Sequence, residues 1–257
     1  MGPGERDNEE RDELYAAEKS GAEPFRFDER VAQVFPDMLR RSIPGYDASL
    51  EAIGSLAARY VVADTRCYDL GCSLGGAALA MRHGIRAGGR MPGVRILAID
   101  NAPAMVERCR EIVARDTAGR GDAVPVEVLL ADIRDAPLAD ASMVVMNYTL
   151  QFLSLADRAA IVERIAAALV PGGLFVLSEK VVDEDPAMEK LLVELHHEHK
   201  RRNAYSELEI SAKRAALENV LVPETVAAHR ARLTAAGFRH VAVWLRYFNF
   251  VSMIAIR

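Results

Sequence analysis

Cysteine, tryptophan and long apolar runs are all scarce in this chain, and each scarcity excludes something. Its 257 residues include three cysteines and one tryptophan. Cys67, Cys72 and Cys109 form no Cys-x-x-Cys pair, which argues against a zinc ribbon, a redox dithiol or a disulfide scaffold and points to a reducing, cytoplasmic setting. No apolar run approaches the roughly 18 residues that a membrane span requires. The N-terminus carries no hydrophobic segment of the signal-peptide kind. A surplus of positive charge is also missing: the net charge is −5, and residues 1–24, with eight acids against three bases, account for all of it. The rest is balanced and offers no general field for a nucleic-acid backbone, so stable tRNA or DNA binding is not expected.

What is present is an ordinary globular composition, 51% hydrophobic and 27% charged. The length suits one large α/β domain with an insertion. Residues 1–24, acidic and poor in large apolar side chains, read as a disordered tail. The domain is expected over 25–257, with N-terminal helices over 25–62. There Val31, Val34, Phe35, Met38 and Leu39 recur at helical spacing, Pro44-Gly45 breaks the run, and a second helix goes from Leu50 to Val61. Short apolar runs then alternate with helical patterns, which predicts a mostly parallel sheet. Its strands are expected from Arg66 to Leu70, Arg95 to Ile99, Val126 to Leu130, Ser142 to Asn147 and Leu174 to Glu179. Pro171-Gly172-Gly173 reads as the stop of a helix from Ala159 to Leu169 and a tight turn into the fifth strand. The charged segment 183–222 breaks the alternation and reads as a helical insertion after strand 5. A helix from Pro223 to Ala236 and an antiparallel C-terminal hairpin, His240 to Leu245 with Phe248 to Ile256, complete a seven-stranded sheet.

The strongest local signal is Tyr68-Asp69-Leu70-Gly71-Cys72-Ser73-Leu74-Gly75, which ends a strand and opens a helix. Glycines there let the backbone approach a ligand, although a bare strand-to-helix turn would use them too. Asp100 ends the second strand, about 25 residues on, where a carboxylate can accept both hydroxyls of a ribose. The turn lacks the Gly-x-Gly-x-x-Gly spacing of a dinucleotide site. Its Asp-x-Gly-x-x-x-Gly pattern instead resembles the first motif of class I methyltransferases, which implies a Rossmann-like fold and S-adenosyl-L-methionine as ligand. By that resemblance Gly71, Cys72 and Ser73 bind the cofactor, Asp132 and Ile133 lie beside the adenine, and Asn147 beside the methionine part. Asp132 taken alone could equally be a helix cap.

A closer resemblance rests on Phe27-Asp28-Glu29-Arg30-Val31-Ala32, Val34 to Met38, Pro44-Gly45-Tyr46, Asp69 to Gly75, Ala98-Ile99-Asp100-Asn101, Asn147 to Leu153, Leu177-Ser178-Glu179-Lys180 and Tyr205 to Ser211. These segments are similar to the carboxy-S-adenosyl-L-methionine synthase family from about Phe27 onward. The resemblance implies that prephenate and S-adenosyl-L-methionine yield the carboxylated sulfonium and phenylpyruvate, the product then serving wobble-uridine modification of tRNA. It implies Arg214 as the guanidinium that receives the new carboxylate, a catalytic and ligand-binding role, and Tyr46 and Asn101 as parts of the ligand pocket. It leaves Tyr205 two roles, touching the carboxylate or substrate, or anchoring the insertion with its ring. It also implies a homodimer, for which Leu191, Leu192, Leu195 and Leu208 make the insertion the expected interface.

Composition alone would make Arg214 a solvated arginine beside Lys200, Arg201, Arg202 and Lys213. His196, His197 and His199, at i, i+1 and i+3, do not share one helical face and read as part of a solvated or interface helix, so no metal is expected. Cys72 reads as a small turn residue, with no histidine near it in sequence. Two other functions remain open at this stage: a conventional methyltransferase using the same cofactor, and a catalytically silent partner subunit.

Overall fold

The computed structural model describes residues 10–15, 25–89, 92–118, 124–217 and 220–257. Alternate residues of its central strands go to opposite faces, as strand geometry requires. Tyr68, Leu70, Ile99, Val144, Met146, Phe175 and Leu177 join one core cluster. Their strand neighbours Cys67, Ile96, Ala98, Met143, Val145 and Val176 join the other. A sheet buried on both faces needs helices on both, so the chain forms three layers.

Two N-terminal helices come first, α1 (Glu29–Ser42) and α2 (Tyr46–Tyr60). The Asp28 carboxylate caps α1 by accepting from Val31 N. Then follow β1 (Arg66–Leu70), α3 (Gly76–Gly88), β2 (Arg95–Asp100), α4 (Pro103–Thr117), β3 (Val126–Leu130), β4 (Ala141–Asn147), α5 (Leu155–Ala168) and β5 (Leu169–Val182). The insertion forms α6 (Pro186–Arg202) and α7 (Glu207–Leu217), and the chain ends with β6 (Glu224–Thr225), α8 (Val226–Ala235), β7 (His240–Tyr247) and β8 (Phe250–Ile256). The strand order is β3-β2-β1-β4-β5-β8-β7, with β6 on β5. Strands β1 to β5 run parallel, whereas β8 is antiparallel to both β5 and β7. The parallel Rossmann-like sheet, the C-terminal hairpin and the helical insertion are as the sequence predicts.

Four expectations are corrected. The sheet has an eighth strand, β6, whose two residues are too few to show any periodicity. Helix α8 accordingly starts at Val226, capped by Thr225, rather than at Pro223. Helix α2 begins at Tyr46, four residues earlier than expected, because Gly45 takes φ +74° and lets the chain turn straight into the helix. Pro171-Gly172-Gly173 is an excursion within β5 and not a turn ahead of it: Ala141 pairs with Leu169 and Met143 with Leu174, so the extra residues bulge out between them.

The tail expected to be disordered is described only at residues 10–15, and there it packs. Asp12 is buried. Its carboxylate accepts from Tyr205 Oη at 2.5 Å and from Lys213 Nζ at 3.3 Å, and its backbone N–H donates to Asp37 at 2.7 Å. One buried acid with three partners holds this segment against α1 and the insertion, a compensation that composition cannot reveal. Residues 1–9 and 16–24 lie outside the described residues.

Candidate functional site

In an open parallel sheet a ligand site forms beyond the C-terminal ends of the strands, where the strand order reverses. Here that point is β1, flanked by β2 and β4. The turn after β1 is fixed by its backbone: Gly71 N and Cys72 N both donate to Ile99 O, at 2.8 and 3.0 Å. Gly71 has φ +77°, and a Cβ there would lie 2.2 Å from Thr149 Cγ2, so the turn excludes any side chain at this point. Asp69 is buried and accepts Ala78 N at 2.8 Å, tying β1 to α3. Burial, partly offset by this bond, pushes its carboxyl up to about 7.

Asp100, at the end of β2, spans the mouth of the turn. One carboxylate oxygen accepts Ser73 N and the other Ala102 N, both at 2.9 Å. Burial raises its pKa, and the backbone N–H groups of Ala102, Ser73 and Asn101 oppose that shift. Each oxygen retains a lone pair that a hydroxyl can use. Asn101 is exposed beside it. Cys72 is buried, and a hydrogen bond with Cys109, followed by burial, pushes its thiol well up, so it stays protonated.

At the end of β3, Asp132 is half-buried and bonded to Arg134 Nη2 at 2.7 Å, which lowers its pKa. Arg134 N also donates to Asp132 Oδ1 at 2.8 Å, a capping-type bond. Ile133 is buried next to it. At the end of β4, Asn147 Oδ1 is buried with no hydrogen-bond partner among the described residues. Buried polar atoms are nearly always paired, so an acceptor left open at a strand end is a place for a ligand's donor. The chain then bends sharply, Tyr148 taking φ +63°. Ser73, at φ +48°, is strained in the same left-handed way on the opposite lip.

Tyr46, first residue of α2, reaches over this cleft. Its hydroxyl lies 3.1 Å from where a Cβ on Gly76 would stand, and its ring is 6.4 Å from that of Tyr148. An aromatic series continues from there: Tyr148 meets Phe250 at 5.9 Å, and Phe250 meets His196 of α6 at 4.8 Å. The insertion is thereby packed against the cleft. His196 corrects the expectation of a solvated histidine, since it is buried, bonds Ser42 O at 2.9 Å, and is driven down to about 2, chiefly by burial. His199 is bonded to Asn203 instead, so the three histidines do not converge.

The two insertion residues expected in the site differ. Tyr205 is buried, its hydroxyl bonded to Asp12 and Ser42 and its ring 3.9 Å beneath the Arg41 guanidinium, which is the geometry of an anchor. Arg214 is exposed on α7 and has no hydrogen bond or ion pair among the described residues. Its charge lowers the pKa of Lys180 on β5 and of His197 on α6.

Sequence reading missed Glu179, Lys180 and Lys200. Glu179 is fully buried and accepts Leu150 N at 3.0 Å and Gln151 N at 2.9 Å, shaping the turn after Asn147. Burial pushes it up to about 8. Lys200 is 8% exposed, and burial together with Lys213 and Lys180 lowers it to about 7. Such residues look like any surface charge in a sequence, because burial depends on partners far along the chain.

A family model described as "Methyltransferase domain" matches residues 68–173, from β1 to the start of β5. Among solved structures, an O-methyltransferase family protein from Burkholderia thailandensis superposes with TM-score 0.60 at 17% identity, over 90% of this chain and 60% of that one. Human N-acetylserotonin methyltransferase, in complex with S-adenosylmethionine, gives 0.56 at 17% identity over 89% and 55%. These likenesses show the fold. Among curated proteins, the carboxy-S-adenosyl-L-methionine synthase of Trichlorobacter lovleyi is 50% identical over 246 residues, 96% of this chain and 98% of its own. That of Aliivibrio fischeri is 54% identical over 91% of this chain and 93% of its own, and that of Klebsiella pneumoniae 49% identical over 96% and 97%. With an open acceptor on Asn147, a ribose-ready carboxylate on Asp100 and a glycine turn that fit S-adenosyl-L-methionine, and with half its residues shared along the full length, this chain belongs to the carboxy-S-adenosyl-L-methionine synthase family.

Proposed function

We propose that the enzyme converts S-adenosyl-L-methionine and prephenate into carboxy-S-adenosyl-L-methionine and phenylpyruvate, and so supplies the carboxymethyl donor for wobble-uridine modification of tRNA. The reaction balances without a metal or redox partner. Prephenate loses carbon dioxide and hydroxide as its ring aromatises, and the sulfonium methyl gives up a proton to that hydroxide. The resulting carbon attacks the carbon dioxide, leaving a carboxylate on the former methyl and one water. The protein's part is to position both molecules and keep bulk water from the carbon dioxide and the carbanion.

The observation that supports this reading is that Arg214 is exposed on α7, has no hydrogen bond or ion pair among the described residues, and acts on Lys180 of β5. A methyltransferase gains nothing from a free guanidinium beside a cationic sulfonium, whereas a carboxylating enzyme needs a planar donor pair for the carboxylate it makes. Tyr46, Gly71, Cys72, Ser73, Asp100, Asn101, Asp132, Ile133 and Asn147 are the proposed ligand-binding residues, with Asp132 released from Arg134 or sharing its lone pairs with the base. Arg214→Ala is expected to reduce the preference for the carboxylated over the unmodified ligand by about 10- to 100-fold, the worth of one charge-assisted bond. Phenylpyruvate absorbance and mass spectrometry of the sulfonium product check the reaction. Methyl transfer to an acceptor without phenylpyruvate would establish the conventional methyltransferase reading, and neither product the silent-subunit one.

The product, not the protein, is the species that reaches tRNA in this scheme, consistent with the balanced charge outside the tail. The cytoplasm is the proposed setting: Cys67, Cys72 and Cys109 are all free thiols. Pairing of two chains through the insertion is proposed from Leu191 and Leu208, 44% and 39% exposed on α6 and α7, together with Met188 at 45%. Of the other two leucines expected there, Leu192 is buried and Leu195 half-buried, because they face the body of the protein rather than solvent.

A further inference from the structure

Lys180 shares one sheet face with the ligand cleft. In β4 and β5, Asn147 pairs with Ser178 in parallel register, so their side chains point the same way, and Lys180, two residues on, points that way again. It stands about 7 Å further along the strand than Ser178. Its antiparallel partner in β8 is Phe250, whose ring packs on His196 of α6. Lys200 is four residues after His196, one helical turn along the same face of α6. The two lysines therefore approach the cleft from a strand and from a helix, near enough for the charge of Lys180 to lower the pKa of Lys200.

Neither ammonium has a hydrogen bond or ion pair among the described residues. Lys213, nearby, is different, since Asp12 and Ser42 hold it at 3.3 and 3.0 Å. Arg214 adds a further unpaired cation next to Lys180. Glu189 acts on Lys180 and Asp12 on Lys200 without forming an ion pair with either. A largely buried ammonium with no carboxylate in direct contact is a cost to the fold, larger when other cations lie near it. Strain of that sort persists where a ligand relieves it. The relieving ligand must be a small, multiply charged anion. It also has to sit against a cationic sulfonium, which a dianion tolerates and a second cation would not.

We propose that Lys180 and Lys200 are the recognition site for the dicarboxylate co-substrate, one ammonium for each carboxylate, on the sheet face that carries Asn147 and beyond it along β5. Arg214 is then left free for the carboxylate formed on the sulfonium. This assignment rests on the prephenate reading above for the identity of the dianion, although a dianion site at these lysines can be tested without it.

Lys180→Met and Lys200→Met keep the aliphatic stem and remove only the charge, so folding is preserved and melting of the free protein should hold or rise. Steady-state kinetics with prephenate are expected to show KM raised about 10- to 100-fold in each variant, with the Kd for S-adenosyl-L-methionine within about twofold of the parent. Calorimetry with prephenate, and with phenylpyruvate as a monocarboxylate comparison, should show the parent favouring the dianion and each variant losing that preference. If the parent forms phenylpyruvate and neither variant changes KM or preference, the lysine site is overturned and the reaction stands. If the parent forms no phenylpyruvate yet binds the dianion through these lysines, the reaction falls and the site stands. Absence of both turnover and lysine-dependent binding overturns the two together.

Discussion

Single atoms decide the chemistry of this cleft. Asn147 Oδ1 is a half-buried residue's buried acceptor with no donor among the described residues, so in the ligand-free chain it contributes nothing to stability through that atom. S-adenosyl-L-methionine carries an ammonium on its methionine part, and a bond from it to a buried amide oxygen is charge-assisted. Asn147→Ala is therefore expected to weaken S-adenosyl-L-methionine binding about tenfold or more, by roughly 1.5 kcal/mol. Denaturation of the ligand-free variant should stay within about 0.5 kcal/mol of the parent. Isothermal titration alongside urea unfolding measures both, and an equal loss in the two would make Asn147 a structural residue.

Elements are held at this cleft by two devices that differ in kind. Helices α2 and α3 cross with almost no side chain between them: a Cβ on Gly84 would lie 1.9 Å from Gly54 O. That close crossing brings the first turn of α2, and with it Tyr46, over the cofactor turn. The insertion is instead docked through polar contacts around Ser42, at the end of α1. Arg41 Nε donates to Asn203 O at 2.7 Å, Lys213 Nζ to Ser42 Oγ, and Asp12 ties Lys213 to Tyr205. The side chains of Asp12 and Lys213 are 1% and 6% exposed, so breaking the pair from one side strands a buried ammonium. Asp12→Ala should cost about 3 kcal/mol in urea unfolding, and Asp12→Ala with Lys213→Met should regain much of it. A loss below about 0.5 kcal/mol would mean that residues 10–15 do not clasp the insertion.

For the whole molecule, the proposed catalytic and assembly roles meet in the insertion. It carries Arg214 and Lys200, and it exposes Met188, Leu191 and Leu208. Closed twofold pairing through that surface would fix α6 and α7 with respect to the cleft. Light scattering at micromolar concentration is expected to report twice the 28.2 kDa chain mass. Leu191→Glu, by placing a charge in an apolar contact, should shift the protein to monomer. A monomeric parent would remove the dimer proposal.

Much of this was written locally. Strands β1 and β3 fall where their short apolar runs between turn residues predict, β1 buried along nearly its whole length and β3, at the sheet edge, buried only at Val128. The glycine turn, the acid ending β2 and the amide ending β4 stand at strand ends in the order the sequence predicts, and their place in the motif is what makes them candidates for a nucleoside ligand. The tertiary structure alone decided which charges are buried. Asp12 belongs to a segment whose composition reads as disordered, and it finds its partners about 190 and 200 residues away. Tyr205 is engaged as an anchor, and Lys180 and Lys200 are brought together from a strand and a helix that are neighbours only after folding. Sequence fixes what each element is, since periodicity and turn chemistry act over a few residues. Whether a charge is paired, stranded or solvated depends on long-range contacts, and those exist only once the elements have packed.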